Sequence, residues 1–236
     1  MRFSTLHSFI VLVVLARIEL GCTRDVDETE SLTTRIGHDF FPLETGRFIE
    51  YEVVETQYAL AAPPATRTSW LREVVRERFT DATGRQAFRL ERFRRATGAA
   101  PWRLDSVWTA RLETGQAVKT EGNAPLVKLV FPAREGLRWN GNALNDRGME
   151  ECHIRRFDQP LTVANQSFLR TLEVVRREDS SLVALERRTE RYARGVGLIS
   201  WENTRLFYCM SAACLGKGRV DFGRQTIYRI RTYGKE

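Results

Sequence analysis

The chain of 236 residues is poor in the side chains that carry most metal and nucleophile chemistry. It has 3 histidines and 4 cysteines, and only His38 and His153 lie beyond the first twenty positions. No His-x-x-x-His or Cys-x-x-Cys spacing occurs, so no metal site is expected. Cys152 and His153 are adjacent, and neighbours on a strand point to opposite faces, which argues against a shared metal. A Gly-x-Ser-x-Gly elbow, a phosphate-binding glycine loop and a dinucleotide fingerprint are all absent. The acid pair Glu150-Glu151 cannot converge on one substrate from a strand and reads as solvated. No catalytic residue and no cofactor is therefore expected, and an enzyme is the least favoured class.

Lysine is scarce too, present only at 119, 128, 217 and 235, so nearly all of the cationic side of the +7 net charge is arginine. The arginines alternate with acids and apolar residues, as in Arg72-Glu73-Val74-Val75-Arg76-Glu77-Arg78. A nucleic-acid surface would gather them on one stripe. They read instead as the solvent faces of strands, and no nucleic-acid partner is expected. Long apolar runs are missing after the N-terminus, and mean hydropathy is −0.37. A membrane-spanning helix needs about 20 apolar residues, so none is expected in the body.

What the N-terminus does contain is an export leader. Arg2 supplies the positive start, and Ser8 to Ala16 is apolar over signal-peptide length. Leu20-Gly21-Cys22 resembles the end of a bacterial lipobox. That resemblance implies a signal peptide over 1–21, a diacylated Cys22 and anchorage in the membrane, which several acyl chains on one cysteine make stable. Glu19 and Arg17 depart from the motif, so ordinary cleavage near Ala16 or Gly21, leaving a plain thiol, is the alternative. Residues 22–37 open with a polar, acidic stretch poor in core formers and read as a flexible tether. Acidic residues directly after the cysteine are similar to the surface-export signal of Bacteroidota lipoproteins.

Residues 38–236 read as a single mainly β domain: one antiparallel sheet, a curved half-barrel or barrel, with little helix. Strand patterns cover 48–55, 69–79, 86–95, 102–112, 116–120 and 126–131, then 149–156, 168–177, 182–192, 197–201, 205–209 and 224–232. Thr80 to Arg85 supplies a turn, making a long hairpin in which Phe88, Leu90 and Arg92 share a face. The run Leu126 to Phe131 is nearly all apolar, which predicts a central strand. Asp179-Ser180-Ser181 could cap a helix or turn a hairpin, and strand-like flanks favour the turn.

Three segments carry a family resemblance. They are Phe41-Pro42-Leu43 with Gly46 and Tyr51, then Val127-Lys128-Leu129-Val130-Phe131-Pro132 with Trp139-Asn140-Gly141-Asn142, and Glu190 with Tyr192-Ala193 and Gly195-Val196-Gly197-Leu198-Ile199. Over most of residues 40 to 200 the chain resembles an uncharacterised family of Bacteroidota cell-envelope lipoproteins. The resemblance implies envelope location, as an outer-membrane lipoprotein facing the periplasm or the cell surface, and a β fold. It implies no reaction. In architecture alone the chain also resembles the curved half-barrels that carry lipoproteins across the periplasm.

Once exported, thiols meet an oxidising compartment. Cys209 and Cys214 are separated by a loop short enough to close, which suggests a disulfide. Cys152 is then left over, buried as a small hydrophobe or pairing with one of the two. Gly195-Val196-Gly197 reads as a tight bend or bulge rather than a ligand loop. Trp70, Trp102, Trp108, Trp139 and Trp201 either fill a core or line an apolar cavity, and in a half-barrel these are the same face. The leading function is a lipoprotein that binds lipid or another apolar or amphipathic ligand on its concave face. The alternatives are an interaction or scaffolding module with an envelope protein partner and, less favoured, an envelope hydrolase.

Overall fold

A computed structural model describes residues 31–236, and every strand in them belongs to one antiparallel sheet. The leader, Cys22 and the tether up to residue 30 lie outside the described residues. In chain order the strands are β1 (Arg47–Tyr58), β2 (Ala65–Thr80), β3 (Gln86–Arg95), β4 (Arg103–Leu112), β5 (Gln116–Glu121) and β6 (Ala124–Val130). The return half holds β7 (Arg138–Asn140), β8 (Glu151–Val163), β9 (Gln166–Ser180), β10 (Ala184–Ala193), β11 (Gly197–Tyr208) and β12 (Val220–Lys235). The sheet order is β6-β5-β4-β3-β2-β1-β12-β11-β10-β9-β8-β7. Two six-stranded meanders are thus fused where β1 pairs along its whole length with β12, from Arg47 opposite Lys235 to Tyr58 opposite Gly223.

Turn chemistry sets the hairpins. Asp81 Oδ1 accepts the backbone N–H groups of Thr83 (2.8 Å) and Arg85 (3.0 Å), and Gly84 takes φ +80°. Ser181 Oγ accepts the N–H groups of Val183 and Ala184, so the segment after Asp179 is a hairpin turn and not a capped helix. Register shifts interrupt the pairings at Glu50/Tyr51, Val75/Glu77, Arg92/Phe93, Ala117/Val118, Arg188/Thr189 and Phe207/Tyr208. Each extra residue bends its strand and adds twist, and the sheet curls until its two ends meet as a nearly closed barrel. The backbone N–H of Val127 in β6 donates to the carbonyl of Gly141, just past β7, at 2.9 Å. Trp139 Nε1 donates to the carbonyl of Val127 at 3.1 Å.

The main core lies inside the curl: Leu90, Ala110, Ala117 and Leu129 from one meander face Cys152, Ile154, Leu172, Val174 and Tyr192 from the other. Phe40, Phe41 and Phe131 pack into the same cluster, with Phe40 and Leu129 fully buried.

Several expectations change. The apolar run 126–131 is not central but the terminal strand of the sheet. It is buried because the curl brings the Gly141 turn against it, so closure covers what sequence order leaves at an edge. The segments 197–201 and 205–209 are one strand, β11, whose polar centre Glu202-Asn203-Thr204 pairs normally with β10 and β12. The strand β8 runs on to Val163 through irregular pairing, with Arg156 and Asp158 at positive φ. The end of the expected tether is ordered: Leu32–Ile36 is a short helix (α1), with Ser31 as its N-cap and left-handed Gly37 closing it. It is tied to the body where Ala133 N–H donates to Ile36 O at 3.0 Å and Arg194 donates to Thr34 O at 2.6 Å.

Candidate functional site

The concave side of the curled sheet holds a half-open cavity of about 330 Å³. At ~30 Å³ per water, that is room for about ten small groups. Its apolar wall comes from the middle of the sheet: Ile49 and Tyr51 of β1, Leu71 and Val75 of β2, Leu90 of β3, Trp108 of β4, Leu198 and Trp201 of β11 and Tyr228 of β12. Phe41, Pro42 and Leu43, from the segment leading into β1, complete it.

Strand alternation explains which tryptophans take part. Trp108 and Trp201 stand in the cavity wall, and Trp201 packs on Tyr228 with ring centroids 4.8 Å apart. Trp70 sits one residue from the inward Leu71 and so belongs to the other face of β2. Trp102 precedes β4 and lies under the Arg95 guanidinium, 4.2 Å from its ring centroid. Trp139 packs on the main core at the seam. None of these three lines the cavity.

One part of the wall is charged. Lys119 donates to both carboxylate oxygens of Glu73 at 2.7 Å. The Arg92 guanidinium lies 3.6 Å from the ring centroid of Trp108, with Nε 3.3 Å from Glu73. Next to this group Lys128 bridges Glu121 (3.2 Å) and the fully buried Glu190. Glu190 also accepts the Tyr192 hydroxyl at 2.6 Å and faces Arg176 at 3.9 Å. Arg176 donates to Glu150 at 2.6 Å, and Arg188 donates to the same carboxylate. Six strands from both meanders therefore meet in one interior network of opposite charges, β2, β3, β5 and β6 on one side and β9 and β10 on the other.

The electrostatics follow from burial and pairing. Desolvation pushes the Glu190 carboxyl up, but the Lys128 and Arg176 charges and the bonds it accepts outweigh this and hold it below its ordinary range. For Glu121 the same opposition, dominated on the lowering side by Lys128, leaves it down at about 2. Burial works against the charge of Lys128, yet Glu121 and Glu190 raise its pKa. Burial and the Glu190 charge push the Tyr192 hydroxyl well up, so it is a neutral donor. A buried network of this kind is stable only with every partner present.

Sequence reasoning placed Leu90 and Arg92 on one face, and both do line the cavity. It missed the rest of the network by taking the arginines and Glu150 as solvated. Arg92 and Arg176 are buried, and Glu150 is tied to two arginines. The available signal was lysine: in a chain that otherwise uses arginine, Lys128 interrupts the apolar run Leu126 to Phe131, and Lys119 lies on the neighbouring strand.

Cys209 and Cys214 form a disulfide with Cα atoms 5.8 Å apart. Cys152 is a free, buried thiol beside Arg176, and burial pushes it up to about 11. Among the described residues no cluster of three or more His, Cys, Asp or Glu could hold a metal ion.

No protein-family model and no curated protein matches the chain. Two solved structures are similar over 83% of its length, both at 12% identity. One is a candidate exported protein with a YmcC-like fold from Bacteroides fragilis NCTC 9343, matched over 99% of that chain with a TM-score of 0.43. The other is a candidate lipoprotein from Parabacteroides distasonis ATCC 8503, matched over 98% with a TM-score of 0.39.

Proposed function

We propose that the protein is a cell-envelope lipoprotein, anchored through Cys22, whose curled sheet binds an apolar or amphipathic ligand in its interior. The observation that carries this reading is the 330 Å³ cavity, walled by aliphatic and aromatic side chains on the concave face of the sheet. Ligand sites are concave, mostly apolar and furnished with a few fixed polar groups, and the Glu73, Arg92 and Lys119 cluster supplies the polar groups here. The alternative, a scaffolding module working through open strand edges, has less support: the β6 edge is met by the Gly141 turn, and β7 is 3 residues long. Native mass spectrometry of protein purified from its own membranes tests the proposal. An added mass that organic extraction removes is expected; a protein that is bare in every gentle preparation contradicts it.

A further inference from the structure

Arg92 is the unusual member of the charged wall. Its side chain is 7% exposed, yet it makes no hydrogen bond among the described residues. Glu73 lies within ion-pair distance of Nε, but off the line of that N–H, and both Glu73 oxygens already accept from Lys119. The two terminal nitrogens make no hydrogen bond among the described residues either, but unlike Nε they keep some accessible surface, and Arg92 is part of the cavity wall. A guanidinium carries five N–H donors in a fixed fork, and burying donors without acceptors is costly. Trp108 beneath the plane offers a cation–π contact but no in-plane acceptor. Arg92 thus brings terminal donors with no protein acceptor to the wall of the cavity.

We infer that the cavity takes an apolar chain ending in a carboxylate, with Arg92 binding the carboxylate through its unpartnered N–H fork. This rests on the cavity being a ligand site. The fork matches a carboxylate or a phosphate in shape. The surroundings favour the smaller charge: Glu73, Glu121 and Glu190 all stand near the cationic groups, and a phosphate nearer −2 would meet more repulsion than a monoanion. Chain length follows from volume, since about ten heavy atoms fill 330 Å³. Decanoate is a fitting probe.

The test uses the full-length chain, exchanged from detergent into a stabilising polymer, with the small neutral dye 1-naphthylamine, whose size matches the cavity, as reporter. Decanoic acid, methyl decanoate and decanol are compared as competitors at pH 7.5. Decanoate is expected to displace the dye at least about tenfold more tightly than the ester or the alcohol, the scale of a charge-assisted hydrogen-bonded pair. Arg92→Met, which keeps an apolar stem over Trp108, should lose the preference when each competitor is scored against the variant's own dye affinity. Arg92→Lys should keep part of it. Equal displacement by acid and ester in the wild type overturns the carboxylate inference while leaving the apolar site intact. A preference that survives in Arg92→Met overturns the role of Arg92. A dye that never binds removes the site itself.

Discussion

Glu190 is 1% exposed and holds two cations and a tyrosine hydroxyl together across the interior. Removing one partner of a buried ion pair leaves an uncompensated charge and costs about 3–5 kcal/mol. Glu190→Gln should therefore lower the unfolding free energy measured in urea by that amount, while substituting an exposed acid such as Glu77 should change it little. The depressed carboxyls also fix a pH dependence. A carboxylate whose folded pKa lies below its unfolded value stabilises the fold above the unfolded pKa, and that contribution is lost as pH falls through the folded one. For Glu121 the window runs from 4.5 down to about 2. Chemical denaturation should show stability falling across that window, and Glu121→Gln should flatten the fall. Cys152, buried and pushed up to about 11, should resist iodoacetamide at pH 8 in the native protein and react once it is unfolded. These residues were hard to read from sequence because an arginine or glutamate on a strand looks the same whether its face meets water or the inside of a curl. Arg92 could be placed on the face of Leu90, but its burial depends on β4 and β5 closing over it.

The elements were more legible than their arrangement. Alternation located most strands, and hairpin chemistry at Asp81 to Arg85 and at Ser181 was local enough to read. Order within the sheet was not, because the β1–β12 pairing joins residues nearly two hundred positions apart and leaves no local trace. The seam is where this matters most. Gly141 donates to the carbonyl of Glu150 at 2.7 Å and accepts from Val127. A side chain added there would meet Arg176 at 2.5 Å and the Cys152 sulfur at 2.7 Å, both pinned in the buried network. Gly141→Ala should push the turn away from β6, and hydrogen exchange of the Val127 amide should speed up far more than that of amides on β1 or β12. The Cys209–Cys214 bridge closes only a short loop, so the chain-entropy model gives it about 2 kcal/mol. Replacing both cysteines with serine should cost no more than that and leave the sheet intact by circular dichroism.

At the scale of the whole molecule, a single antiparallel sheet has bent until its concave face became an interior, part core and part cavity. Small residues such as Ala110 and Ala117 pack among Leu90, Leu129 and Tyr192 in the filled part, and the open part lies between Trp108, Trp201 and the charged wall. The proposed anchorage through Cys22 has its own test. Cys22→Ala should move the protein from the membrane fraction to the soluble one without changing its thermal midpoint, and a variant that stays membrane-bound would contradict anchorage through Cys22. Occupancy of the cavity is the central claim, and blocking the cavity tests it most directly. Leu198 projects into the cavity from β11, and its backbone carbonyl, which accepts the Tyr51 hydroxyl at 2.9 Å, is kept in any substitution. Titrating 1-naphthylamine into the wild type and into Leu198→Trp, after near-ultraviolet circular dichroism has confirmed that both are folded, should give saturable binding in the first and at least a tenfold loss in the second. Equal binding by the two, or none by the wild type, would contradict the account.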